Sequence, residues 1–402
     1  MMLRQVGRLA LSHGPLLVAI YLGSVLCRYL LIQTIGYIGA YSAITGALLF
    51  PLFMLVQMFA LVSMLLVMRD GLVELGAIAP RPTERSSRRA AFVDSLLGSV
   101  LAFVVLYVSA GYLRSDAQAY MSRVLETNRV NVANDVATGD GAIGELSVGP
   151  ITLGIVVVAF GLRWAYGRYR ERLPKGFAFV AVYLEAMWVV WSAMLLSQVF
   201  ESIGAWVDSR QAVRWLSELR EWVGAQMVPL AWLWDGVEWF LGESAGIIVQ
   251  PLAWLAIAGV VFGYAVKLPP LRMKVRRIDA IRLRYGRVPS RLRRRLNDFW
   301  GQFSGRFRPI WDALVLMWRA GPVLIGSYIL LFTIVLSLQS LLGIAVTRLV
   351  GPLEIYNDWP EIYVAVLLVV PLVVEPLRLI VVASAYDRVV GSVRAPAPTL
   401  TA

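Results

Sequence analysis

The apolar positions of this 402-residue chain neither alternate nor gather into short amphipathic stretches; they run on in long blocks. A helix needs about 20 mostly apolar residues to cross a ~30 Å hydrocarbon core. Eight windows of that kind occur, at roughly 14–36, 43–68, 91–113, 150–167, 177–200, 246–266, 322–348 and 362–386. The pattern predicts an all-α fold, a polytopic membrane helix bundle of about eight transmembrane helices that makes residues 1–402 one integral membrane domain. The fourth window is short and the seventh long, so tilt is expected at both. Arg4 and Arg8 ahead of the run Leu16 to Cys27, with Ala40-Tyr41-Ser42-Ala43 beyond it, resemble a signal peptide and its cleavage site. Apolar character continues from Tyr29 to Ile32 past the single interruption at Arg28, which favours a retained first span.

The polar positions between the blocks set the orientation, because cytoplasmic loops hold the Lys/Arg excess. Residues 69–90 carry Arg69, Arg81, Arg85, Arg88 and Arg89, and residues 168–175 carry Arg168, Arg170, Arg172 and Lys175. Residues 267–308 hold fourteen bases against Asp279 and Asp298. By contrast, 201–245 has three arginines against seven acids, and 352–361 has Glu354, Asp358 and Glu361 with no base. These loops alternate as the rule requires. The expectation is a protein of the cytoplasmic (inner) membrane with both termini in the cytoplasm.

Three connecting segments have patterns of their own. In the first outer loop, 114–149, Ser115 and Gln118 stand at capping-box spacing ahead of Ala117, Tyr120, Met121, Val124 and Leu125 on one helical face. Asn131 to Gly144 then reads as loop, and its acids Asp140 and Glu145 fit no calcium-binding spacing. The second outer loop, 201–245, holds six of the fourteen tryptophans and two apolar stripes, one through Trp215, Leu219 and Trp222 and one through Leu230, Trp234 and Leu241. Indole rings favour the headgroup layer, so a pair of interfacial helices is expected there, or a cover or docking face for another protein.

The basic cytoplasmic segment 267–310 contains Arg291, Arg293, Arg294 and Arg295, while Leu292, Leu296, Phe299, Trp300 and Phe303 share one side. A basic amphipathic helix with aromatic residues on its apolar face lies at a membrane interface. Each base near an anionic leaflet adds about 1 kcal/mol, so Arg291, Arg293, Arg294, Arg295 and Trp300 are the candidate contacts to anionic lipid at the cytoplasmic face. Attachment to the membrane at both ends, with no zinc ligands and no helix-turn-helix pattern, argues against nucleic acid. A protein partner through 201–245 or 267–310 and a homo-oligomer are both compatible with the pattern.

Composition narrows the chemistry. Hydrophobic residues make up 58%, charged residues 16%, and the mean hydropathy is +0.68, against about 45–50% and about 25% in soluble domains. The net charge of +12 is concentrated in the loops assigned to the cytoplasm. One cysteine, Cys27, and one histidine, His13, leave no disulfide framework, no metal cluster and no Ser-His or Cys-His pair. No catalytic residue, metal site or cofactor is assigned, and the expectation is a protein that is not an enzyme. A remote alternative is a lipid-linked transferase using outer-loop acids, among them Asp208, Glu218, Glu221, Asp235, Glu238 and Glu243, although these are spaced as solvated helix faces.

The remaining chemistry is the charge inside the spans. Glu375 lies twelve residues beyond Tyr363, or about 18 Å into the membrane at about 1.5 Å per residue. Arg378 follows three residues later on the same face, and Pro371 and Pro376 are expected to kink that helix. Arg28 lies in the first span and Glu185 near the middle of the fifth, while Asp94 and Arg163 sit near cytoplasmic ends. Unpaired, each central charge would cost at least ~2.5–3.5 kcal/mol. Two expectations follow for Glu375, Arg378, Glu185 and Arg28: buried ion pairs, Glu375–Arg378 and Arg28–Glu185, or a polar path. The functional expectation is transport or export, as a permease or as the membrane subunit of a larger machine. The alternative is a non-catalytic assembly or anchoring protein of an envelope complex.

Overall fold

A computed structural model describes residues 2–78, 84–134, 150–169, 177–211, 245–266, 315–354 and 357–394, with isolated positions at 214, 215, 218, 222, 232, 236, 239 and 313. The helices are α1 (Met2–Tyr41), α2 (Ala43–Leu49), α3 (Pro51–Met68), α4 (Val73–Ile78), α5 (Arg85–Ser109), α6 (Tyr112–Ala133), α7 (Pro150–Tyr169), α8 (Phe177–Asp208), α9 (Gln250–Val266), α10 (Pro322–Val350) and α11 (Trp359–Arg394). A 3-10 turn, Arg69–Gly71, leads into α4, and a π-turn, Ala245–Val249, leads into α9. Among the described residues there is no strand.

Among the described residues six segments are long and apolar enough to cross a membrane: Leu3–Tyr41, Ala43–Gly71, Ser86–Ser109, Phe177–Asp208, Pro322–Val350 and Ile362–Ser392. Two of the eight sequence windows are not among them. The 150–167 window forms α7, which is 20 residues long but carries Arg163 and Arg168, and the 246–266 window gives the 17-residue α9.

The chain divides into two compact units, one made of Met1–Ala19, Leu61–Ala102 and Trp254–Ala402, the other of Ile20–Ala60 and Phe103–Ala253. The boundaries fall inside α1, α3, α5 and α9.

In the first unit α11 is the central element, packed by α10 and α4. It buries Val374, Leu379, Ile380, Val381, Val382 and Ala383 almost completely. Tyr386 of α11 stacks on Phe262 of α9 with ring centroids 5.4 Å apart. Ser95 of α5 donates its hydroxyl to the Val261 carbonyl at 3.3 Å.

In the second unit the helix expected near Ser115 is α6, and it runs past the predicted loop start at Asn131 to Ala133. It begins at Tyr112 after Gly111, whose φ of +77° is a conformation glycine adopts at little cost, and not at the Ser115–Gln118 capping box. Its buried stripe is Leu113, Asp116, Tyr120, Val124, Thr127 and Asn131, so Tyr120 and Val124 lie inside as expected while Ala117, Met121 and Leu125 are half-buried. Three polar residues occupy the stripe because each finds a partner there or within its own helix. The α6 helix runs parallel to the second half of α1: Arg28 meets Asp116, Gly36 lies against Arg123, and Tyr41 donates its hydroxyl to Asn131 at 3.2 Å. The Tyr120 hydroxyl fills the space beside Gly39 and Gly46, where any Cβ would collide with it.

In the Trp-rich segment the described positions Trp215, Trp222, Trp232 and Trp239 are helical and exposed. The candidate lipid contacts Arg291, Arg293, Arg294, Arg295 and Trp300 lie outside the described residues, as does the loop 135–149.

Candidate functional site

The opening question for any charge in an apolar helix is which group neutralises it. On α11 the Arg378 guanidinium donates to Glu375 Oε1 within the same helix face. The Arg378 side chain is 4% exposed and that of Glu375 is 16% exposed, so the carboxylate is the more accessible partner. Arg378 also lies over the Trp254 ring of α9, 5.1 Å from its centroid, a cation–π contact that strengthens once water is excluded. The helix runs unbroken through Pro371 and Pro376. The expected Glu375–Arg378 pair is present, and it is intrahelical.

A third α11 charge lies just past the last apolar window and was not singled out from the sequence. Asp387 is 1% exposed. Its Oδ2 accepts from Gln5 Nε2 at 2.7 Å and from the Val73 amide at 3.1 Å, and its Oδ1 accepts from the Leu75 amide at 2.8 Å. Val73 and Leu75 open α4, whose first amides have no partner inside the helix. Asp387 therefore caps α4 from a helix more than 300 residues away in sequence, and the role has no local signature.

The second unit holds two more charged clusters, and together they correct one expectation. Arg28 does not pair with Glu185. Arg28 Nε donates to Asp116 Oδ1 at 2.5 Å, and the Tyr107 hydroxyl donates to Asp116 Oδ2. Asp116 is fully buried while the Arg28 side chain is 28% exposed. Burial pushes the Asp116 carboxyl above its usual range, while the Arg28 charge and the hydrogen bonds from Tyr107 and Arg28 pull it back down. The physical reason for the correction is that the buried face of α6 includes Asp116, which the apolar face Ala117, Tyr120, Met121, Val124 and Leu125 leaves out. The helix packs this stripe onto α1, and Asp116 reaches Arg28 first.

Glu185 pairs with Arg163 of α7, Nε to Oε2 at 2.6 Å. Here a signal was available. Arg163 is six residues before the end of α7 and Glu185 eight residues after the start of α8, so an antiparallel hairpin brings the two level. Arg163 lies 5.8 Å from the Tyr166 ring centroid as well.

Among the described residues no group of three or more His, Cys, Asp or Glu side chains converges to hold a metal. Of the acids that the transferase alternative would use, Asp208 ends α8 and Glu218 is exposed, while Glu221, Asp235, Glu238 and Glu243 lie outside the described residues. What the paired charges can do chemically is limited to proton exchange at a carboxylate and to recognition of a charged or polar group. No family model, no curated protein and no solved structure matches this chain.

Proposed function

We propose that this chain is a multi-pass protein of the cytoplasmic membrane that takes part in transport or export, as a permease or as the membrane subunit of a larger machine. The observation that carries the proposal is the Glu375–Arg378 pair. Both partners ride on one helix, so the charge is neutralised within α11 itself, and the carboxylate is the member that keeps more exposure. A carboxylate beside Pro376, midway along an apolar helix, is suited to exchanging a proton or meeting a cargo. Glu185 and Arg28, each held by a different partner, extend the set of polar positions in the other unit.

Eight crossings fit this proposal better than six. With only the six long apolar helices as spans, the connection 168–175, with Arg168, Arg170, Arg172 and Lys175, would fall on the outer side, and 201–245, with its seven acids, on the inner side. Counting α7 and α9 as spans reverses both and restores the positive-inside alternation. At about 1.5 Å per residue α7 is about 30 Å long, enough for the core. Cysteine placed at Tyr169 and at Ser244, in a Cys27→Ser background, separates the two topologies. Eight crossings leave Tyr169 unlabelled and Ser244 labelled by an impermeant thiol reagent on intact cells, and the reverse pattern would establish six.

The test of function begins with purification from native membranes, keeping any stoichiometric partner, followed by reconstitution into liposomes. A preparation that carries protons, cations or lipid-linked cargo supports the proposal. A lone, homogeneous and silent species rejects it. The second reading, a non-catalytic assembly or anchoring protein, is favoured by the fact that Arg28, Glu185 and Arg378 each already has an opposite charge within the protein. A stable partner without flux would support that reading.

A further inference from the structure

We infer that α2 (Ala43–Leu49) is a hinged half-span, held in its seated position by two side chains of α8, one of which replaces the backbone donor that Pro51 removes. Proline has no N–H, and its ring presses on the carbonyl four residues earlier. At Pro51 the carbonyl that loses its donor is that of Ala47. The helical run 43–68 divides at this point: Phe50 closes α2 with its amide on the Gly46 carbonyl, and Pro51 opens α3.

In an apolar environment an unpaired carbonyl is costly, and α8 supplies the donor that Ala47 lacks together with a second contact at Leu48. Trp191 Nε1 donates to the Ala47 carbonyl at 3.2 Å, and the Tyr183 hydroxyl donates to the Leu48 carbonyl. The indole of Trp191 is 1% exposed. Phe50, at the break itself, packs edge-on against Phe53 and Tyr120, with ring centroids at 5.3 and 5.8 Å, and lies tilted 6.0 Å from Trp191. The segment is therefore attached to its neighbours by side chains and rings at one end and by the Ser42 cap at the other, where the Ser42 hydroxyl accepts from the Thr45 amide at 3.3 Å. The Phe53 amide still reaches the Phe50 carbonyl at 3.1 Å, but Ala47 has no amide to accept from at Pro51. A short helix with a weakened backbone junction and side-chain latches can occupy two states, latched and released. The latch sits on α8 on either side of Glu185, so a displacement of α8 relative to α7 at the Arg163–Glu185 pair moves the latch as well.

Hydrogen–deuterium exchange on the purified full chain in lipid nanodiscs tests this. In the parent, amides 44–50 should exchange at least about tenfold faster than amides 54–60 of α3. Trp191→Phe keeps the ring and removes the donor. It should speed exchange at 44–50 by about tenfold, the factor for one lost buried hydrogen bond, and leave 54–60 unchanged. Pro51→Ala restores the backbone donor and should slow 44–50, and adding it to Trp191→Phe should return exchange to the parent rate or below. Tyr183→Phe, at a half-buried site that tolerates the change more readily, should act in the same direction with smaller amplitude. Equal protection of 44–50 and 54–60 in the parent, no slowing by Pro51→Ala, or a uniform rise across both segments in Trp191→Phe and Tyr183→Phe would each overturn the inference.

Discussion

The Glu375–Arg378 pair and the Arg28–Asp116–Tyr107 cluster neutralise buried charge in opposite ways. The first is written into two residues of one helix, three positions apart, and moving that helix carries the whole pair along. The second takes one residue each from α1, α5 and α6, so it exists only when those helices are docked. A pair confined to one helix lowers the cost of keeping charge in an apolar element. A cluster spread over three helices fixes how they pack. Only the first has a carboxylate that is more exposed than its cationic partner.

The largest expected effect breaks the tertiary cluster. Arg28→Met leaves Asp116 fully buried with a single hydroxyl donor, and losing one member of a buried pair costs about 3–5 kcal/mol. Arg28 is also what draws the Asp116 carboxyl down against its burial. Without it the folded carboxyl binds a proton at still higher pH than the unfolded one, so its contribution to stability is present at low pH and lost as pH rises through the folded value. Denaturation of Arg28→Met should therefore approach the parent near pH 4 and fall progressively behind it towards pH 8. A deficit independent of pH would mean that packing, not charge, is lost.

A smaller effect is expected from Asp116→Asn, about 1–3 kcal/mol, because Arg28 retains access to water and the amide oxygen still accepts from Tyr107. If Asp116→Asn cost as much as Arg28→Met, the asymmetry of burial would not control the cluster. Tyr107→Phe should cost about 1 kcal/mol, the share of one hydrogen bond, read as a small shift in thermal midpoint. At the low end, Glu126→Ala removes the half-exposed pair with Arg123, whose Nη1 lies 2.7 Å from Glu126 Oε2, and should change stability by less than about 1 kcal/mol.

The same contrast explains what could be read from the sequence. The apolar blocks are local, so every window corresponds to a helix, and the i, i+3 spacing of Glu375 and Arg378 places them together without reference to any other element. Arg163 and Glu185 are nearly as legible, through their matched distances from the turn between α7 and α8. Arg28 and Asp116 are 88 positions apart, and the apolar face read for this helix leaves out Asp116, Thr127 and Asn131, because a stripe containing them does not look like a buried face. Asp387 was missed for a related reason: its donors are backbone amides of α4, which carry no side-chain signature. The break at Pro51 was hidden inside one continuous apolar window, since hydropathy is blind to a missing N–H.

The most direct test of the account compares three proteins in one preparation: the parent, Glu375→Gln, and Glu375→Gln with Arg378→Met. Each is isolated from native membranes with any partner retained and reconstituted into liposomes containing a pH-sensitive dye. The account predicts that the parent dissipates an imposed pH gradient faster than empty liposomes. It predicts that both variants stay folded by thermal unfolding and fail to dissipate the gradient. A silent parent, or a double variant with the parent's flux, would contradict it and leave Glu375 as part of a structural pair alone.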